Sequence, residues 1–451
     1  MNKFENKMWK ELSNEDKQKL LKNAICIDIL VGSPLTNGKG IVKFSDILVV
    51  LGSIHNGKIE IDDDAVLYNP CIGPNGAMSQ EELDEMFKKY ESKSLEYEER
   101  FYEYERSFKL RPHVVILGAG ASCATIPNGD KNGKKISAMN GFIEKLGLQS
   151  ILSKVKIHTA SENLEDIYME LDERSHKEPE CMNVKMELEE KIREYMSDYQ
   201  LPDEPTIYDF LIMSLTKKDI IATFNWDPLL VQAYGRALKY TNNLPNMAFL
   251  HGNVAVGYCE VDNIISNVGE MCKCGKILEP TKLLFPIKNK DYISDIAISK
   301  SWKSLQNALE IAYMITIFGY SAPKSDVEAI AMLKKAWGSV DDRSLEEIEI
   351  VNIGDEESVI ESWNEFIHTH HYSYHTSFFD TTLAKYPRRS CEATFDRFMN
   401  CYFLDGEKGF KPGMTSSDIN QLTYKLICEE DKKQGTKKIL DNPYIKHLDL
   451  F

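Results

Sequence analysis

The chain has no apolar run near the roughly 20 residues that span a bilayer, so a membrane-embedded role is not expected. Its opening stretch, MNKFENKMWKELSNEDKQK, is polar throughout and lacks the apolar core of a secretory signal. A cytoplasmic protein is therefore expected. There is no Lys/Arg stripe, and the net charge of −16 disfavours direct nucleic-acid binding driven by general attraction. Internal repeats and low-complexity tracts are missing as well. The ten cysteines do not form the paired spacing of a disulfide framework; most, such as Cys26 in AICIDIL and Cys428 in KLICEE, read as buried thiols of a reducing compartment.

What is present is 451 residues, 43% hydrophobic and 27% charged, enough for two or three domains with one large core. Residues 1–110 read as an N-terminal α+β module. There Asn56-Gly57 sits between two strand-like runs as a hairpin turn, because both residues tolerate positive φ. A charged helix follows from Ser79 and ends at Arg111-Pro112. Beyond it, five short apolar runs alternate with helical patterns: HVVIL, DIIAT, MAFL, AYMITIF and IEIV. Strand alternating with helix predicts a parallel, Rossmann-like α/β sheet over residues 111–356, with a helical insertion about 137–200. Residues 357–451 read as a mixed C-terminal region.

In open parallel sheets ligands bind beyond the carboxyl ends of the strands, and the polar residues gather there. Gly118-Ala119-Gly120-Ala121-Ser122 follows VVIL directly. Small residues let a backbone approach a phosphate, and a following helix offers N–H groups to it; a tight turn without ligand is the bland alternative. Thr223, Asn225 and Asp227 alternate at the end of the second run, so an extended backbone puts them on one face. Asp227-Pro228 could open the next helix, but capping leaves Asn225 unexplained. His251-Gly252 ends the third run: either a satisfied structural histidine or a general base with room for substrate beside it. Gly319, Ser321 and Asp326 in FGYSAPKSD, then Asn352 in IVNIG, repeat the pattern and suggest one nucleotide crevice.

Cys259, Cys272 and Cys274 supply only three thiols, with Cys272-Lys-Cys274 one residue tighter than a zinc ribbon's pair, so an eroded site and doubtful zinc are expected. His368, His370, His371 and His375 do not resolve onto one helical face and read as an exposed helix end.

Taken in order, GAGAS, TFNWD, LHG, FGYSAPKSD and IVNIG resemble the sirtuin superfamily over about residues 113–356, and TFNWD and FGYSAPKSD are especially similar to sirtuin-like NAD hydrolases of bacterial antiphage defence. The resemblance implies NAD as substrate, cleaved to nicotinamide and ADP-ribose. Asn225 would hold the ribose hydroxyls or the attacking water, His251 would act as base, and Asp227 would orient the nicotinamide side. It further implies tight control, through homo-oligomerisation or a protein partner such as a DNA-translocating ATPase. Two alternatives share these residues: an NAD- or ADP-ribose-binding sensor or scaffold of a defence complex, and an NAD-dependent protein deacylase. The chain departs from the deacylases where they carry Asp-Phe-Arg, since it has Ile126-Pro127-Asn128-Gly129-Asp130-Lys131. It departs again where they offer a strand edge to the acyl-lysine peptide: LLFPIKNKDY places Pro286 there, without a donor.

Overall fold

The computed structural model describes residues 3–4, 7–22, 25–27, 40–45, 48–55, 58–67, 99–136, 142–285, 292–293, 295–322, 326–339, 343, 345–364, 366–367, 372–434, 436 and 438–446. The chain forms two compact units, Met1–Tyr102 and Glu103–Phe451.

In the first unit, helix α1 (Asn14–Lys22) precedes an antiparallel sheet of β1 (Ile25–Ile27), β2 (Gly40–Ser45), β3 (Leu48–His55) and β4 (Lys58–Glu60). His55 pairs with Lys58, which is the register a two-residue hairpin gives; Asn56-Gly57 itself lies outside the described residues. Trp9, Leu12, Val42, Val50 and Leu67 form this unit's small core. Of the charged helix expected from Ser79, residues 79–98 lie outside the described ones and 99–109 are helical.

The second unit is built on six parallel strands. They are β5 (His113–Leu117), β6 (Ile220–Thr223), β7 (Asn246–Phe249), β11 (Met314–Phe318), β12 (Glu347–Val351) and β13 (Tyr372–His375), in the order β13-β12-β11-β5-β6-β7. The chain therefore winds outward from β5 in one direction and from β11 in the other. The order reverses between these two neighbours, and a doubly wound sheet opens its ligand crevice at such a reversal. A Rossmann-like α/β fold follows directly from this topology.

Strand alternation divides the core. Val115, Leu117 and Ile221 face one layer, with α5 (Ile207–Met213), α6 (Leu229–Ala237), α10 (Thr382–Lys385) and α12 (Ser416–Lys433). Val114, Ile116, Ile315, Ile317, Ile348 and Ile350 face the other, with α7 (Ile296–Ile311), α8 (Val327–Trp337) and α9 (Glu356–Trp363). Two-sided burial explains why these strands read as continuous apolar runs. The helical insertion supplies α3 (Leu164–Ser175) and α4 (Pro179–Ser197), which share a third core with Leu283 and Phe285. Between β7 and α7 stands a small antiparallel sheet of β8 (Val256–Cys259), β9 (Ile264–Asn267) and β10 (Glu279–Pro280).

The C-terminal residues are tied to the sheet. β13 extends its edge, and α11 (Ser390–Phe398) and α12 are joined through Arg388 and Arg389, both fully buried and both ion-paired with Glu430. His375 belongs to β13 and not to a helix end; His368, His370 and His371 lie outside the described residues. Among the described residues no helix is long and apolar enough to cross a membrane.

One buried group sets a pH dependence. His113, with no solvent exposure, is held between Ser390 Oγ (2.9 Å) and Thr316 Oγ1 (2.8 Å). Burial lowers its pKa to about 4. Between pH 6.5 and 4 the unfolded chain binds a proton that the fold rejects, so stability falls as pH drops through that window and is level above it. Replacing His113 with Asn should remove up to about 3 kcal/mol of that fall, measured by denaturant unfolding at several pH values. A variant curve parallel to wild type would contradict it.

Candidate functional site

The crevice begins with two turns that touch. Gly118 precedes α2 (Ala119–Thr125), and a Cβ there would sit 2.5 Å from Tyr320 Cα. At Gly120 it would sit 2.7 Å from Gly319 Cα, and Gly319 itself has φ +62°. The N–H groups of Gly118 and Gly120 donate to the carbonyls of Phe318 (3.0 Å) and Gly319 (2.9 Å). These glycines are thus required by the contact between the β5 and β11 turns, whatever binds above them.

Ser122, on α2, is where the β6 loop meets this turn. Its hydroxyl donates to Asp227 Oδ2 (2.7 Å) and accepts from Asn225 Nδ2 (2.9 Å). With its one proton committed, it also accepts from the Tyr208 hydroxyl at 2.8 Å. Asn225 Nδ2 donates further to the Gly118 carbonyl (2.8 Å). The amide is therefore pinned by its nitrogen, and Oδ1 is the atom left to accept a hydrogen bond from water or a sugar hydroxyl.

Thr223 Oγ1 accepts the Asn225 N–H (3.0 Å), closing the turn as the strand ends. Asp227 Oδ1 accepts the N–H of Leu229, the first residue of α6 (3.1 Å). Asp227 thus takes the first N–H of that helix, whose N-cap is Pro228, and holds Ser122, and burial raises its carboxyl above the ordinary range. The two ring residues of TFNWD leave in other directions. Phe224 stacks on Tyr320 (centroids 4.2 Å), and Trp226 packs on Phe285 (4.8 Å).

His251 lies across the loop, buried at the end of β7, its ring 4.8 Å from Phe224 and edge-on to it. Its Gly partner is not there to leave space for substrate. Gly252 has φ +76°, and a Cβ would fall 1.9 Å from the Lys282 carbonyl oxygen, so the following loop fills the room. Asp326 accepts a hydrogen bond from the Tyr320 hydroxyl (2.7 Å) and so reaches the site through the Tyr320–Phe224 stack. Asn352 Oδ1 accepts the Gly354 N–H (3.0 Å), a local turn after β12. Ser321 is exposed beyond β11. The structure thus gathers Gly118, Ser122, Thr223, Asn225 and Asp227 into one hydrogen-bonded group. Ala119 and Ala121 lie on the same turn, Gly319 against it, and His251 and Asp326 reach it through aromatic rings. Ser321 and Asn352 sit at strand ends outside that group.

Two participants escaped sequence reasoning. Tyr208 lies inside an apolar helix, IYDFLIM, where nothing marks its hydroxyl as functional. Asn253 has no solvent exposure, and its Nδ2 donates to the carbonyls of Asn225 (3.2 Å) and Asp227 (2.6 Å). It follows LHG directly, and a buried amide two residues from a candidate base was a readable signal.

A fourth donor also emerges beside the three cysteines. Cys259, Asp262, Cys272 and Cys274 place one ligand atom each within 4.8 Å of one another. Cys259 Sγ lies 3.5 Å from Cys274 Sγ, and Cys272 Sγ lies 2.8 Å from Asp262 Oδ2. Two thiolates on one tetrahedral zinc stand about 3.8 Å apart, given bonds of about 2.3 Å. Three thiols and a carboxylate supply the four donors of a closed structural zinc site. Without a cation, the Asp262 carboxylate pushes the Cys272 thiol up to about 12, while the Asp262 backbone N–H holds Cys259 below its ordinary value. A divalent cation reverses the first effect.

No family model matches the chain, and no curated protein matches it. Among solved structures, a Sir2 homologue in complex with NAD is 16% identical, covering 66% of this chain and 90% of that one at a TM-score of 0.30. Sir2 bound to acetylated peptide is 13% identical, covering 67% and 98% at a TM-score of 0.30. Likenesses this distant carry no argument about the site, and the fold assignment rests on the strand order above.

The purified chain should carry one zinc per molecule by metal analysis, and Asp262→Ala and Cys274→Ser should each lose most of it. Zinc-free wild type with an intact fold would sink the assignment.

Proposed function

We propose that this chain hydrolyses NAD at the nicotinamide–ribose bond, releasing nicotinamide and ADP-ribose. The observation that carries the reading is Asn225, whose amide nitrogen is fixed by Gly118 and Ser122 at the reversal point of a parallel sheet. Such a bond breaks with oxocarbenium character, so the site has chiefly to hold the ribose, position a water and accept a proton. Asn225 Oδ1 is the acceptor for the water or a ribose hydroxyl, and His251 is the base. Asp227, with its oxygens engaged by Ser122 and Leu229, keeps the loop in place and acts as a positioning residue.

Hydrolysis is favoured over deacylation by the 281–285 segment, at the place where a deacylase would offer a peptide its edge. Leu283, Leu284 and Phe285 are buried. Arg193 Nη2 donates to the Thr281 carbonyl (2.9 Å), and the Leu284 N–H is taken by the His251 carbonyl (2.9 Å). Phe285 also stacks on Tyr168 (4.7 Å), which closes the segment against the helical insertion. The next residue, Pro286, has no N–H to offer an extended peptide. Unchecked loss of NAD is toxic, so control by oligomerisation or a partner fits the reading. The wording of TFNWD and FGYSAPKSD is what suggests antiphage defence.

The test is nicotinamide release from NAD by the purified chain, alone and with its encoded neighbours. Asn225→Ala and His251→Ala should each slow release by about 100-fold or more. Release that requires an acetyl-lysine peptide would establish the deacylase. Tight NAD binding without turnover in any condition would establish a sensor.

A further inference from the structure

One cavity of the second unit does not lie at the crevice. It has a volume of about 550 Å³ and opens where β12 and β13 meet α10 and α11. Met314 and Glu347, which line it, are the first residues of β11 and β12, so it sits toward the end of the sheet opposite the crevice. Its size falls within the range of small-molecule sites, which run from roughly 300 to 1,000 Å³.

The lining carries both signs of charge, with Asp380 among its carboxylates. Lys385, at the end of α10, and Arg397, on α11, line it. Among the described residues neither has a carboxylate at ion-pair distance, and Arg397 rests over the Phe398 ring at 4.7 Å. The strand side carries Glu347 and the buried Glu349. Glu349 is held below the ordinary carboxylate range despite burial, by hydrogen bonds from His375 and Thr382. Thr382 gives it both its N–H (2.9 Å) and its hydroxyl (2.7 Å). The rings of Tyr372, on β13, and Tyr386, directly after α10, also line it.

We propose that this cavity is a second ligand site, for a nucleoside 5′-phosphate. The phosphate answers Lys385 and Arg397, neither of which is ion-paired among the described residues. Ribose hydroxyls are donors suited to the acidic strand side. A flat base fits against the tyrosine and phenylalanine rings. Inorganic phosphate would use only the two cations and an uncharged nucleoside only the other two features. The proposal stands apart from the NAD reading, since none of these residues belongs to the crevice.

The experiment is calorimetric titration of the full chain with AMP, with adenosine and inorganic phosphate as separate arms. The double variant Lys385→Ala/Arg397→Ala serves as comparison. Both positions are incompletely buried, and a matching thermal transition verifies the variant's fold. AMP should bind wild type at a site weakened at least about tenfold in the variant, and should bind it more tightly than adenosine or phosphate. A second AMP that the variant retains reports on the crevice, so the two readings fail separately. No AMP binding, AMP binding indifferent to the substitutions, or phosphate binding as tightly as AMP would each overturn the proposal.

Discussion

The contact between the β5 and β11 turns constrains the rest of the second unit's chemistry. Gly118 and Gly120 meet Gly319 and Tyr320 with no room for a Cβ at any of the three glycines, so the two strand ends approach closely. That approach starts α2 at Ala119 and brings Ser122 to the end of β6. Ser122 can then accept from Asn225 and donate to Asp227 at once. Without the glycine contact, the buried carboxylate of Asp227 would lose its hydroxyl partner, and a buried charge without one is costly.

The same loop divides its residues among three surroundings. Asn225 and Asp227 turn to Ser122, Phe224 to Tyr320 and His251, and Trp226 to Phe285 and the helical insertion. Asn253 ties the loop's carbonyls from behind. A turn held from so many sides is preorganised, which is what electrostatic stabilisation of a developing cation needs. It also joins the insertion to the chemistry, because Phe285 and Trp226 share the core that α3 and α4 form.

Much of this was legible along the chain. The five apolar runs became the strands β5, β6, β7, β11 and β12, because residues buried on both faces leave a continuous hydrophobic signature. Alternation of Thr223, Asn225 and Asp227 pointed to one face of an extended backbone; the strand instead ends at Thr223, whose hydroxyl closes a turn, and Asn225 and Asp227 converge on Ser122. β13 was not legible: YSYH is short and polar, and only pairing with β12 makes it a strand. Asp262 was hidden because a metal-ligand search over cysteine spacing overlooks a carboxylate brought in by a hairpin. Tyr208 was hidden because one hydroxyl in an apolar helix has no sequence mark. The reason for Gly252 came only with the Lys282 carbonyl lying against it.

The central claim is that Asn225 presents its carbonyl oxygen to the ribose of NAD. The most direct measurement is a crystal structure of His251→Ala, slowed in turnover, soaked with NAD. The account predicts intact dinucleotide over the Gly118–Ser122 turn, with a nicotinamide-ribose hydroxyl or an ordered water hydrogen-bonded to Asn225 Oδ1. NAD bound elsewhere, or in the crevice with that ribose out of reach of Asn225, would contradict it.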